Sequence, residues 1–171
     1  MAQDLHQRAR FDAEIRARLS YDPATGVFTR LKGGGRGAKA GDRAGSAMVT
    51  GYVSLSVCDR AFLAHRVAWF LATGAWPAGQ IDHINGDRMD NRLCNLREVT
   101  NRQNTQNVRR ARSSNRSTGV LGVYLDRRRG KLFASIMDRG CTRLLGYHAT
   151  PEAAHEAYIA AKSALHEGFV Q

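Results

Sequence analysis

The stretch from Gln80 to Val108 constrains the chain most, because its alternation, turn residues and capping pattern spell strand, loop, strand and helix in that order. Gln80-Ile81-Asp82-His83-Ile84 has the two-residue period of a strand. Asn85-Gly86 follows, a dipeptide suited to a tight turn because both residues tolerate positive φ. Asn95-Leu96-Arg97-Glu98-Val99 alternates again as a second strand. Thr100-Asn101-Arg102-Gln103 fits a capping box, in which the hydroxyl and the side chain three residues on satisfy each other's backbone N–H groups. The helix it starts carries Asn104 in its first turns.

Asp82 and His83 are neighbours on one strand, so they face opposite ways unless the backbone bends there. Asp82 supplies a hard oxygen ligand and Asn104 an amide oxygen from the following helix. Two such oxygens, completed by waters and a phosphate oxygen, suit one Mg²⁺ (or Mn²⁺), which keeps much of its hydration and asks for few protein ligands. His83 titrates in the range suited to taking a proton from an attacking water. The plainer alternative is an Asp that stabilises a turn beside a surface His.

Other elements follow from periodicity. Asp4 to Leu19 reads as a short amphipathic helix, with Leu5, Ala9, Ile15 and Leu19 on one side. Tyr21-Asp-Pro-Ala-Thr-Gly26 is a turn feeding a strand at Val27–Leu31. Lys32 to Gly45, rich in glycine and cations, reads as a mobile basic loop. Gly51–Val57 alternates as a strand, with Ala61–Leu63 as its hairpin partner. Ala64 to Thr73 has helical composition and ends at Gly74. His65, on the apolar face of that helix, is expected to be a satisfied core histidine, with a phosphate contact as the alternative. Asn91 is expected to pin the long loop between the two central strands.

Charge narrows the partner. The chain has 26 Lys and Arg against 15 Asp and Glu, a formal net charge of +11. Residues 102–143 hold 11 of the cations and 2 acids. Arginine makes up 22 of the 26 cations, which favours forked contacts to phosphate and guanine. Such a surplus points to a polyanion. Cys58, Cys94 and Cys141 are far apart and form no Cys-x-x-Cys pair, so they read as scattered buried thiols with neither zinc nor disulfide framework. No apolar run reaches membrane-spanning length and the N-terminus lacks a hydrophobic leader core, so a cytoplasmic protein without membrane contact is expected.

Beyond Arg109–Ser117, a polar basic stretch suited to a linker or minor-groove arm, the pattern changes. Gly122–Leu125, Leu132–Met137 and Thr142–Tyr147 read as three strands. Thr150-Pro151-Glu152 opens a helix that runs to about His166, with Thr150 as cap and Pro151 in the first turn.

Two resemblances attach to these residues. The central segment resembles the HNH (ββα-metal) endonucleases of the phage and homing type, in which the general-base His is followed by Asn about twelve and about twenty-one residues on. His83, Asn95 and Asn104 reproduce that spacing. Tyr21-Asp-Pro-Ala-Thr-Gly26, Ala64-His-Arg-Val-Ala-Trp69, Asp82-His-Ile-Asn-Gly-Asp87, Asp90-Asn91 and Asn95-Leu-Arg97 extend the likeness over about residues 20–108. The resemblance implies that Asp82 and Asn104 hold the metal, that His83 is the general base and that Asn95 holds its loop. Arg97 and Arg102 are candidate phosphate contacts. The C-terminal part is similar to the Apetala-type (ethylene-response-factor) DNA-binding domain, through Gly122-Val-Tyr124, Leu132-Phe-Ala-Ser-Ile136, Leu145-Gly-Tyr147 and Thr150-Pro-Glu-Ala-Ala-His-Glu-Ala-Tyr158. That likeness implies a sheet lying in the major groove, and Phe133 stands where the family usually has Trp. Candidate DNA contacts are Arg109, Arg110 and Arg112 in the arm, then Tyr124, Arg127, Arg128, Arg129, Lys131 and Arg143 as outward sheet positions.

The expected architecture is therefore α+β. A ββα-metal nuclease domain over 1–108, a basic linker over 109–117 and a three-stranded antiparallel sheet packed on one helix over 118–171 make up the chain. The expected activity is a metal-dependent DNA endonuclease that leaves 5′-phosphate and 3′-OH ends. One motif per chain implies a monomer that nicks double-stranded DNA and needs no small-molecule substrate. The rival is a DNA-binding regulator or packaging accessory with a vestigial nuclease motif.

Overall fold

The structure, a computed structural model, describes residues 2–34, 37–108, 111 and 115–166, with side chains from residue 9 onward. Two compact units account for the chain, Met1–Val99 and Thr100–Gln171. Both mix helices with small antiparallel sheets, an α+β architecture.

The first unit begins with helix α1 (Ala2–Arg18), then strands β1 (Leu19–Asp22) and β2 (Val27–Arg30). Leu19, expected as the last helical residue, instead pairs with Arg30 as the first residue of β1, and its side chain is buried. The turn between β1 and β2 is built by its own polar groups. Asp22 Oδ1 accepts from Ala24 N and Oδ2 from the Thr25 hydroxyl, while Gly26 N donates to Asp22 O. Gly26 has φ +73°, and a Cβ there would come within 2.6 Å of Arg92 N, so the turn can press against residues 91 and 92 only with glycine.

The segment 32–45 is not loop throughout. Arg43–Ala44 forms β3 and joins β2, with Phe28 opposite Ala44, because Ala44 buries against the same core. Strands β4 (Ser46–Ala47), β5 (Val53–Val57) and β6 (Arg60–Leu63) make a second sheet. Helix α2 (Ala64–Thr73) buries Ala64, His65, Val67, Ala68 and Phe70 and stops at Gly74, whose left-handed backbone lets its N–H return to Phe70 O. Ile15, Leu19, Phe28, Leu55, Val57, Val67, Phe70, Ile81 and Leu96 share one core. Strands β7 (Gln80–His83) and β8 (Leu96–Val99) complete the unit as an antiparallel pair.

The second unit starts with helix α3 (Asn101–Gln106) and continues with β9 (Val123–Asp126), β10 (Lys131–Asp138), β11 (Cys141–His148) and helix α4 (Pro151–Leu165). The sheet order is β11-β10-β9. Thr150 caps α4 by accepting from Ala153 N, with Pro151 in the first turn. Val123, Ala134, Ile136, Ala154 and Tyr158 form its core. Gly122 lets β9 approach the helix, since a Cβ there would fall 2.1 Å from the Tyr158 ring. Lys162, 1% exposed, donates from Nζ to Val108 O at 2.6 Å and so ties the chain after α3 to α4.

Buried thiols are not what the structure contains. Cys58, Cys94 and Cys141 are all exposed, because each sits in or beside a turn at the surface: between β5 and β6, just before β8, and at the first residue of β11. No helix among the described residues is long and apolar enough to cross a membrane.

Candidate active site

The pairing of β7 with β8 sets the first half of the site. Asp82 stands opposite Arg97 and His83 opposite Leu96. Strand alternation sends the two neighbours to opposite sides. Asp82 is half-buried, and Arg97 grips its Oδ2 with a fork, from Nη2 at 2.9 Å and Nε at 3.1 Å. Arg97, expected at a phosphate, thus has a carboxylate partner within the strand pair.

His83 points inward and is 5% exposed. Its ring meets His65 edge-on with centroids 5.1 Å apart, and Tyr52 contacts both imidazoles at 5.1 and 6.0 Å. Arg88 covers the outer face of Tyr52 at 4.6 Å while Nη1 donates to Thr50 O. Tyr52 and Arg88 carried no signal in the sequence, since a Tyr ahead of a strand and an Arg in a polar loop are ordinary in those places.

His65 is buried, as expected of a core histidine, but it is not satisfied. His65 Nδ1 and His83 Nε2 are both buried without a hydrogen-bond partner. Burial, with the neighbouring His83 and Arg66 adding to it, pushes His65 down to about 4. Burial also lowers His83. The Asn91 side chain opposes that most, although Asn91 Oδ1 makes no hydrogen bond of ordinary geometry, and Asp82, Asp87 and Asp90 oppose it next. A lowered imidazole is free base at neutral pH, which is the form able to accept a proton.

The depressed His65 has a consequence for folding. The unfolded chain protonates this group near its ordinary 6.5, the folded chain only near 4. Stability from this group is therefore complete above about 6.5 and falls as pH drops towards about 4, by at most about 3 kcal/mol. Urea unfolding at neutral and mildly acidic pH should show the loss in the wild type and a smaller loss in His65→Phe. Equal acid sensitivity of the two would remove His65 as its source.

Asn95 is 5% exposed and stitches the loop between the strands. Its Oδ1 accepts from Asn85 N at 2.9 Å, its Nδ2 donates to Asp90 O at 2.8 Å, and its backbone O accepts from Ile84 N. Asp90 itself receives three bonds from Arg92, two from its guanidinium and one from its backbone N, and one from Asn85 Nδ2, and Arg92 first among its partners holds it down at about 2. Asn91 is pinned as well: Nδ2 donates to Met89 O and its backbone O accepts from the Tyr21 hydroxyl. The Tyr21–Gly26 hairpin therefore braces the loop that follows His83.

Asn104 lies half-buried in α3, in the second unit, with its N–H on Thr100 O. The capping box ahead of it is present in both directions, Gln103 N to the Thr100 hydroxyl and Thr100 N to Gln103 Oε1. Arg102 is exposed on the same helix. Asp82 in the first unit offers a carboxylate and Asn104 in the second an amide oxygen, each a hard donor of the kind a divalent cation takes. Among the described residues no group of three or more His, Cys, Asp or Glu is placed to hold a metal ion.

Arg109, Arg110 and Arg112 lie outside the described residues. Tyr124, Arg127, Arg128, Arg129 and Lys131 are exposed. Arg143 is exposed too, at 55%, on the strand face that it shares with Ile136. Its register partner is the buried Ile136, and Nη2 pairs at 2.8 Å with Asp138, itself 4% exposed, because a buried carboxylate needs a cation close by.

Residues 62–106 match the family model of the HNH endonucleases. No curated protein and no solved structure matches the chain.

Proposed function

We propose that this chain is a divalent-metal-dependent DNA endonuclease of the homing type, with a ββα-metal active site formed by Asp82, His83, Asn95 and Asn104. One observation carries the reading. The segment that matches the HNH endonucleases holds a paired-strand motif in which His83 is buried and kept as the free base, with its loop stitched by Asn95. His83 takes the proton of the attacking water. Asp82 and Asn104 would hold Mg²⁺ or Mn²⁺, which when bound supplies charge stabilisation to the phosphate and the departing 3′ oxygen. Arg97 holds the Asp82 carboxylate in place through two hydrogen bonds to Oδ2, and Arg102 is an exposed cation available to a phosphate.

On this reading residues 1–108 form the nuclease domain, 109–117 a basic linker, and 118–171 a DNA-holding domain of Apetala type. Tethering the two raises the local concentration of DNA at a small catalytic unit. One active site per monomer cuts one strand per engagement, leaving 5′-phosphate and 3′-OH ends.

A supercoiled plasmid incubated with the protein and Mg²⁺ should give open circles before any linear DNA, and none when the ion is chelated. Linear product without a nicked intermediate would contradict the monomeric nickase. Absence of cutting with any divalent ion would favour a DNA-binding regulator whose nuclease motif no longer works.

A further inference from the structure

The outer face of the second unit's sheet carries a row of aromatic rings. Phe133 on the central strand lies in register with Tyr124 on one side and Tyr147 on the other. Their rings form a row across all three strands, with centroids 5.6 and 6.0 Å apart. Tyr124 and Tyr147 are each 40% exposed, and Leu144 and Met137 extend the apolar surface at 58% and 60%.

A protein that reads a duplex needs hydrogen-bonding forks for base edges, because stacking hides the base faces. Here two of the forks near the rings, those of Arg143 and Arg129, are engaged within the sheet. Arg143 is held by Asp138 on the helix side. Arg129 lies over the Tyr147 ring at 5.4 Å and donates to its hydroxyl, which in turn donates to Asp126. What the face presents is a platform of π surfaces, and its hydrogen bond to Asp126 stops Tyr147 from swinging away. Around the rim stand Arg127, Arg128 and Lys131, all exposed, which suits a phosphate backbone. Rings to stack on and cations alongside are what unpaired nucleotides require.

We infer that the Tyr124–Phe133–Tyr147 face binds single-stranded DNA by base stacking. The inference rests on the proposed DNA-cutting role and deepens it: the second unit would hold the strand left unpaired at a nick or bubble.

The test is binding by the full-length protein in chelator, so that no cutting occurs, to a labelled short oligothymidylate and to a mixed-sequence duplex of equal length. Tyr124→Leu/Tyr147→Leu changes only exposed side chains. It should weaken oligothymidylate binding by at least about tenfold and by a clearly larger factor than duplex binding, since each stacked base contributes about 1–3 kcal/mol. Tyr124→Trp, which keeps the stack, should bind oligothymidylate at least as well as the wild type. An equal loss on both DNAs, no loss on oligothymidylate, or tighter binding of oligouridylate than oligothymidylate would overturn the assignment. Nicking activity is read separately on the plasmid, so failure of one idea leaves the other standing.

Discussion

Replacing His83 by alanine is expected to slow metal-dependent nicking by about 100- to 10,000-fold while DNA affinity stays within about twofold. The loss follows from removing the group placed to accept the water's proton. Affinity should persist because His83 is buried and its partners are Tyr52, His65 and the Asn91 side chain rather than the exposed cations. Single-turnover nicking of a plasmid, paired with a binding measurement in chelator, separates the two quantities. The pH profile adds a sign. Burial lowers His83, so the wild type should keep its base form, and its rate, to a lower pH than an ordinary imidazole allows. A variant that nicks at the wild-type rate would take His83 out of the chemistry.

Asn95→Ala is expected to cost about 2–4 kcal/mol of stability in the first unit and to depress nicking together with it. Two hydrogen bonds disappear, and Asn85 N and Asp90 O are left to find water in a part-buried loop. Asn95→Asp keeps the acceptor for Asn85 N but sets an oxygen against Asp90 O, so its stability should fall between the two. Urea denaturation orders the three proteins, and the plasmid assay shows whether rate tracks loop order. An alanine variant as stable as the wild type would mean that the loop is held by Asp90, Arg92 and the Tyr21–Gly26 hairpin without Asn95.

Much of the site was legible because it is local. Strand alternation announced that Asp82 and His83 diverge, and the register bears that out with Arg97 on one side and the two imidazoles on the other. Thr100 and Gln103 announced a capping box and make one. Thr150-Pro151 announced a helix start. In each case the residues that carry the signal are within a few positions of the residues they satisfy, so spacing suffices.

The errors have the opposite character. Arg143 looked outward because cations usually do; it is exposed, but the strand register also gives it a buried carboxylate as partner, which nothing local announced. The cysteines looked buried because the residue type usually is, and three surface turns exposed them. Leu19 fits a helical face equally well, and only its pairing with Arg30 makes it a strand residue.

The motif segment foretold its own elements by itself: the β7–β8 strand pair, the turn at Asn85-Gly86, the capped helix and the spacing from His83 to Asn95 and Asn104. Those features depend on backbone preference and short-range hydrogen bonds, which travel with the sequence. Tertiary structure alone decided that His65 and Tyr52 enclose His83, that Arg97 grips Asp82, and that Tyr124, Phe133 and Tyr147 line up across three strands. Each of those contacts joins residues far apart in the chain. Their meeting is set by how the core closes and by strand register, and neither leaves a local trace.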